Sequence, residues 1–448
     1  MSGRLVVVGG DAAGMSAASQ ARRMDRDLEI VAFERSGYGS YSACGEPYYV
    51  AGIVDSIERL VARTPERFAH MGIDLRTRHE VEAIDLDRRL VRVADLEGGS
   101  RFEMPWDQLM VSTGAHPLRP ASIAGIDLPG VLALRTLEDA VTLRAMTEHE
   151  AERVVVVGAG YIGLEMAEAL AGRGAHVTIV TLGPHVLEKT LDPEMGRIVD
   201  DAVREAGVEL LTDTTVDRIV GDVKATGVAA GDALVPADLV FLGLGTAPDV
   251  ALAEAAGIPL GVTGAIAVDD RQRTRVEGVW SAGDCAETVH RVNGQAVNIH
   301  LGTIANKTGR IAGTNIGGGD ARFPGVLGTA IVKVFDLEVA CTGLNTAQSA
   351  ASGFDPVVGI AKGRAGASYW PDAAGMVVSV IADRVTGRVL GGQVVGGEGT
   401  GKRIDALATA IWKEATLDDL AWADLAYAPP FTGVWDLINI ASRNAADP

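Results

Sequence analysis

Cys44 is the residue of this chain best placed to do chemistry. It stands in SYSACGEPYY, with Ser40 four residues before it and Gly45, Glu46 and Pro47 after it. Cys285 and Cys341 lie far away in sequence. No CxxC pair and no Cys/His ligand spacing occurs, so no metal is expected. A cysteine without a partner cannot rest as an internal disulfide. It must cycle through a mixed disulfide with a substrate thiol or through a sulfenic acid. The stretch GEPYYVAG reads as a helix start, and a thiolate there gains from the helix dipole. Most free cysteines are small buried hydrophobes, which is the reading for Cys285 and Cys341.

Two glycine-rich turns bind rather than react. Gly158, Gly160 and Gly163 complete a GxGxxG, with Tyr161 and Ile162 inside it. The first glycine permits the tight turn, the second lets a pyrophosphate approach the backbone, and the third lets the helix pack on the strand. The earlier turn has Gly9 and Gly14 at the outer positions but Asp11 in the middle, followed by Ala12. A carboxylate beside a pyrophosphate is unfavourable unless it points away. Glu34 ends the next strand, beside Arg35, where an acid binds the two ribose hydroxyls of an adenosine. The matching position of the second turn is Thr181, not an acid. That permits NADPH as well as NADH. His185, nearby, reads as a solvated loop histidine, with contact to a 2′-phosphate as the alternative.

The elements that position these turns are repeated. RLVVVGGDAAGMSAASQARR (4–23) leads to DLEIVAFE (27–34), and RVVVVGAGYIGLEMAEALAGRG (153–174) leads to HVTIVTL (176–182). Each reads as strand, turn, Ala-rich helix, strand: the βαβ unit of a parallel sheet. Two units imply two dinucleotides. Short alternating strands follow each unit, and ADLVFLGLG (237–245), ending at Gly245, closes the second. From about Phe323 the pattern changes to longer alternating strands and the helix KRIDALATAIWKEA, an α+β region without a nucleotide fingerprint.

The bulk properties bound the function. A chain of 448 residues with 47% hydrophobic and 22% charged side chains is globular and holds two or three domains. A net charge of −19 argues against nucleic acid and anionic membranes as partners. The N-terminal apolar run lacks a signal peptide's cleavage region and no stretch is apolar enough to span a bilayer, so a reducing cytoplasm is expected.

The order of the first turn, the cysteine motif, STGAHP (112–117), the second turn and SAGDCAE (281–287) resembles the flavoprotein pyridine nucleotide-disulfide oxidoreductases over the full chain. The resemblance implies an α/β fold with two Rossmann-like dinucleotide-binding domains and a C-terminal α+β dimerisation domain. It places FAD on residues 1–117 and 246–322, NAD(P)H on 118–245, and the contact of a homodimer on 323–448. Ser112, Thr113 and Gly114 of the STG motif and Gly283 and Asp284 of the SAGD motif join the cofactor-binding set, Asp284 at the flavin's ribityl chain.

The single cysteine narrows the likeness to the SxxxC subgroup, which includes coenzyme A disulfide reductase, NADH oxidase, NADH peroxidase and the persulfide reductases. YAPPFTGVWDLIN (427–439) is also similar to this subgroup. Ala12 stands where the oxidases and peroxidases carry a histidine, which tilts the reading toward disulfide or persulfide reduction. The resemblance places Ser16, Gln20, Arg23 and Ser40 at coenzyme A positions, and Tyr427 at the active site, delivered by the second subunit to protonate a leaving thiolate. Three positions depart from the pattern: Ala43 replaces an asparagine, Trp435 a lysine at the coenzyme A end, and Asn306 a histidine. Arg22 and Arg23 read equally as a phosphate clamp or as a helix C-terminus complementing its dipole. Tyr48, Tyr49, Tyr369 and Trp370 read as core aromatics or as the wall of a substrate channel. The expected activity is NAD(P)H-dependent reduction of a low-molecular-weight disulfide or persulfide through FAD and Cys44. An oxygen-reducing oxidase using a Cys44 sulfenic acid is the alternative. A redox-sensing or electron-transfer flavoprotein with a protein partner is the alternative of another class.

Overall fold

Arg4–Val8 becomes a strand because its aliphatic run is buried on both faces, Leu5 and Val7 in one core and Val6 and Val8 in another, between two parallel neighbours. The computed structural model describes residues 3–149 and 151–446. Arg4–Val8 is central to a parallel sheet ordered Val279–Ser281, Gln108–Val111, Arg4–Val8, Glu29–Phe33 and Ile73–Arg76. The outer strand Val279–Ser281 comes from far downstream, and so does the helix that covers the first unit's own helix. Gly309 and Gly313 of the helix Gly302–Ile316 lie so close to Ala12–Met24 that a Cβ on either would fall 2.2 Å from Ala13 O and Ala17 O.

The second unit repeats the plan with the parallel order Glu209–Leu211, His176–Val180, Arg153–Val157, Leu239–Leu242 and Val131–Leu132. Its helix Tyr161–Gly172 follows the second glycine turn. The short alternating strands expected after each unit form an antiparallel three-stranded sheet, 79–105 in the first and 216–236 in the second. Two short antiparallel strands, Ala115–Pro117 and Thr246–Pro248, form the ribbon by which the chain leaves the first unit and returns to it.

The C-terminal region is an antiparallel sheet ordered Ala330–Val334, Leu337–Gly343, Val389–Gly396, Gly375–Asp383 and Pro356–Arg364. Ile404–Trp412 buries Ile404, Leu407 and Ile411 against it, the three-to-four-residue spacing of one helix face. The strand Pro356–Arg364 and the helix Leu437–Ala446 were not anticipated from sequence. Among the described residues no helix is long and apolar enough to cross a membrane.

Candidate active site

One cavity of about 2460 Å³ lies between the two units and the C-terminal sheet, lined by both glycine turns and by Cys44. The turns work as their spacing requires. Gly9 and Gly158 have φ of +99° and +102°, and a Cβ would strike Ser112 O at 2.2 Å and Gly243 O at 2.4 Å. Gly14 and Gly163 let each helix close on its turn, since a Cβ would lie 2.0 Å from Gly9 O and 2.2 Å from Gly158 O. Both therefore serve packing and stand off the cavity wall. Gly160 differs: nothing in the protein lies within 4 Å of its Cβ position, and the space there is open cavity. Gly160 caps the second helix without a side-chain hydrogen bond and Asp11 makes no cap bond beyond the first residue, Ala12, so further N–H groups at both helix starts are left for a ligand.

Asp11 lines the same space, its carboxyl held by backbone N–H groups. Tyr41 N donates to its Oδ1 at 3.1 Å, and burial pushes its carboxyl up to about 6 despite that bond. Glu34 accepts from Gly10 N at 2.8 Å and Ser36 N at 2.9 Å, which fixes the carboxylate and leaves lone pairs for ribose hydroxyls. Arg35 lies 3.8 Å from Asp249 at the cavity edge. The Ser112 hydroxyl donates to Val8 O, and that of Thr113 to Asp249 O. Gly114, Gly245 and Gly283, all with positive φ, also line the cavity, as do Ala12, Tyr161, Ile162, Thr181 and Asp284. Asn298 Nδ2 donates to Asp284 O at 2.9 Å, and His300 Nε2 lies 2.6 Å from Asn298 Oδ1, steadying the SAGD turn.

Cys44 is exposed on the cavity; Cys285 and Cys341 are buried as expected, Cys341 beneath the same cavity with Sγ 3.4 Å from the Tyr161 hydroxyl. The expected helix start is present but short. Cys44 sits in a 3₁₀ turn, Ala43–Gly45, and the helix that follows, Glu46–Val50, is only five residues long. A stub of that length has little dipole to offer. The protein groups alone push the Cys44 thiol up, first by burial and then through the carboxyl groups of Glu165, Glu46 and Asp284. Glu165, reaching in from the second unit, is itself pushed up to about 7 by burial and Glu168.

The remaining sequence-predicted residues fall into two places outside this wall. Ser16, Gln20 and Arg23 share the first helix; Ser16 Oγ donates to Asn306 Oδ1 at 2.8 Å, and Arg23 Nη1 to Gln20 Oε1 at 3.2 Å. Asn306 alone of these touches the cavity. Ser40 is locked with φ +51°, its N–H donating to Gly10 O. Tyr427 and Trp435 are exposed on the C-terminal region, away from the cavity, with the Tyr427 hydroxyl bonded to Tyr369 and Trp435 edge-on to Trp422 at 6.0 Å. Of the two readings of Arg22, its donation to Gly72 O and Arg26 O favours the helix C-terminus. One further reading is corrected. His185 is not a solvated loop residue; it is buried, with Nδ1 2.8 Å from Val186 O. Sequence reasoning passed over Glu46, Arg135, Glu165 and His300, all on the cavity wall.

The sequence matches the pyridine nucleotide-disulphide oxidoreductase family over residues 3–308 and that family's dimerisation domain over 329–437. The chain belongs to this family. It is 39% identical to an NAD(P)H sulfur oxidoreductase (CoA-dependent) of Pyrococcus abyssi, across 98% of this chain and 97% of that one. It is 31% identical to a coenzyme A disulfide reductase of Staphylococcus aureus, across 99% of both. Among solved structures, an NAD-dependent persulfide reductase from A. fulgidus superposes with a TM-score of 0.95 at 40% identity, covering 98% of this chain and 82% of that one. The cofactors are accordingly FAD and a nicotinamide dinucleotide. The geometry fits both, since each glycine turn presents N–H groups of a helix start to one shared cavity.

Proposed function

We propose that this protein reduces a low-molecular-weight disulfide or persulfide, coenzyme A disulfide or persulfide foremost, at Cys44 with electrons from NADH or NADPH. One observation carries the reading: Cys44 is the accessible thiol, and it lines the same cavity as both dinucleotide turns. Residues 1–117 and 246–322 hold FAD, 118–245 hold the nicotinamide dinucleotide, and 323–448 join two copies. The bound cofactors supply the two-electron relay from nicotinamide to sulfur. Gly9, Gly158 and Gly160 admit the pyrophosphates to the backbone, and Glu34 and Asp284 orient the FAD ribose and ribityl hydroxyls.

The Cys44 thiolate attacks one sulfur of the substrate. The substrate's S–S bond breaks, a Cys44–S–S–R mixed disulfide forms, and the electron pair leaves with the second sulfur, which takes a proton. Two electrons and a further proton then return Cys44 to thiolate and release the second thiol. Ser16, Gln20, Arg23, Ser40 and Asn306 form the polar edge toward coenzyme A, and Tyr427 reaches the site from a second copy. The work is done in a reducing cytoplasm, without nucleic acid or membrane.

The test follows NADH and NADPH oxidation with coenzyme A disulfide under argon and in air, beside Cys44→Ser. Fast anaerobic turnover that the variant loses is the expected result. Turnover in air with none under argon would overturn the reading in favour of oxygen reduction.

A further inference from the structure

The second unit has no acid at the end of its second strand, but an acid from further along the chain folds back to that place. The strand His176–Val180 gives way to Thr181, where the first unit has Glu34. The segment that follows is pinned on both sides. Val186 N donates to Asp200 Oδ1 at 2.9 Å, and Leu187, buried and with φ +54°, donates its N–H to Ala159 O at 2.9 Å. Ala159 lies between Gly158 and Gly160, the place that Gly10 holds in the first turn, and there Gly10 N donates to Glu34 Oε2. Glu188 comes directly after Leu187. Its carboxyl lies over Gly183, where a Cβ would stand 2.5 Å from Glu188 Oε2 and 3.0 Å from its Cδ. Gly183 is not among the positive-φ glycines, so it is the carboxyl, and not the backbone, that leaves no room for a side chain. Glu188 is exposed and lines the cavity with Thr181, Leu182 and Gly183. Among the described residues its carboxyl has no hydrogen-bond or ion-pair partner.

We propose that Glu188 binds the adenosine ribose of the nicotinamide dinucleotide and selects NADH over NADPH, a proposal that rests on the reading of residues 118–245 as the dinucleotide's domain. In a βαβ unit the pyrophosphate lies on the glycine turn and the adenosine ribose beside the end of the second strand. Glu188 stands between the two, tied to the turn through Leu187 and folded onto Gly183 just past Thr181. A carboxylate there accepts from the free 2′- and 3′-hydroxyls of NADH. NADPH carries a phosphate in place of the 2′-hydroxyl, with about two negative charges at neutral pH and no hydroxyl proton to share with a carboxylate. Repulsion rejects it. The neighbours supply little to offset that charge. Asp213, whose N–H donates to Gly183 O at 3.0 Å, is acidic too. His185 is buried with Nδ1 2.8 Å from Val186 O. Lys189 is the cation of this segment and also lines the cavity, so it is the competing candidate: a 2′-phosphate held by Lys189 would reverse the preference.

Calorimetric titration of the FAD-loaded protein with NAD+ and with NADP+ reads the preference without turnover, since neither nucleotide can reduce the flavin. The parent binds NAD+ about 10–100-fold more tightly than NADP+, as a like charge beside the 2′-phosphate requires. Glu188→Gln weakens NAD+, tightens NADP+ and brings the two dissociation constants to within about threefold of each other. Gly183→Ala moves the ratio in the same direction, because its methyl displaces the end of the flexible Glu188 side chain. Lys189→Ala leaves the ratio as it is in the parent. A parent that binds NADP+ as tightly as NAD+, a ratio that Glu188→Gln does not move, or a loss of NADP+ binding alone in Lys189→Ala overturns the proposal. Binding of neither nucleotide by protein that retains FAD overturns the assignment of residues 118–245, and the proposal with it. Disulfide reduction at Cys44 stands or falls separately, by turnover in Cys44→Ser.

Discussion

Gly160→Ala separates ligand binding from folding. Gly160 has φ −80° and ψ −175°, an ordinary extended backbone that alanine adopts without strain. The added methyl meets no protein atom within 4 Å. Stability should therefore stay within about 0.5 kcal/mol of the parent. The same methyl projects into the space assigned to the dinucleotide's pyrophosphate. A loss of about 1.4–2.8 kcal/mol of binding there raises KM for NADH and NADPH roughly 10–100-fold. Gly163→Ala, three residues on, should behave in the opposite way. Its Cβ would lie 2.2 Å from Gly158 O, a backbone atom that cannot swing aside. Such overpacking costs about 1–3 kcal/mol, and each kcal/mol lowers Tm by about 2–4 °C in a domain of this size. Thermal melts of cofactor-free protein and steady-state KM measurements decide the matter. If Gly160→Ala melts as early as Gly163→Ala, or leaves KM unchanged, the assignment of Gly160 to the phosphate channel is wrong.

Two further outcomes follow from buried charges. Asp11 is raised from an ordinary 3.8 to about 6, so its favourable contribution exists below pH 4 and is lost as pH rises through 6. Asp11→Asn should then stabilise FAD-free protein by about 3 kcal/mol at pH 8 and by almost nothing near pH 4, read as the Tm difference at each pH. Equal gains at both pH values would refute this. In the C-terminal region Arg403 Nε lies 3.2 Å from Asp436 Oδ2, and both side chains are largely buried. Asp436 also accepts from Thr432 Oγ1 and Ile438 N. Asp436→Ala leaves Arg403 unpaired, should cost about 3–5 kcal/mol, and should expose the 427–436 segment to limited proteolysis while Asp405→Ala does not.

The parts of the fold that sequence revealed are those that depend on backbone sterics. A valine strand, a glycine that must take positive φ and a helix that must close on it form a local pattern, and both units followed it. The helix Leu437–Ala446 escaped notice because PPFTGVWD points to a loop and its apolar face is short. Within the site, spacing identified Cys44, Gly160 and Glu34. It said nothing of Asp11 turning to Tyr41 N, of Arg22 reaching Gly72 O, or of His185 entering the core. Those depend on partners 30, 50 and 11 residues away, the last being Gly196 beside the His185 ring. Glu46 was passed over because an acid after a cysteine is ordinary in sequence; only its burial makes it unusual.

The origin of the outer strand Val279–Ser281 and of the helix Gly302–Ile316 has a consequence for the newborn chain. The first unit's sheet is finished by residues that leave the ribosome only after the whole second unit has been made. At ordinary synthesis rates the open edge of Gln108–Val111 waits on the order of ten seconds or more for its partner. The apolar flank of Ala12–Met24 waits still longer for Gly309 and Gly313. The second unit, whose five strands lie between residues 131 and 242, has every strand of its own sheet in hand well before that. The unit synthesised first is therefore completed after the second, and during that interval a chaperone, or an unwanted neighbour, meets its sheet edge.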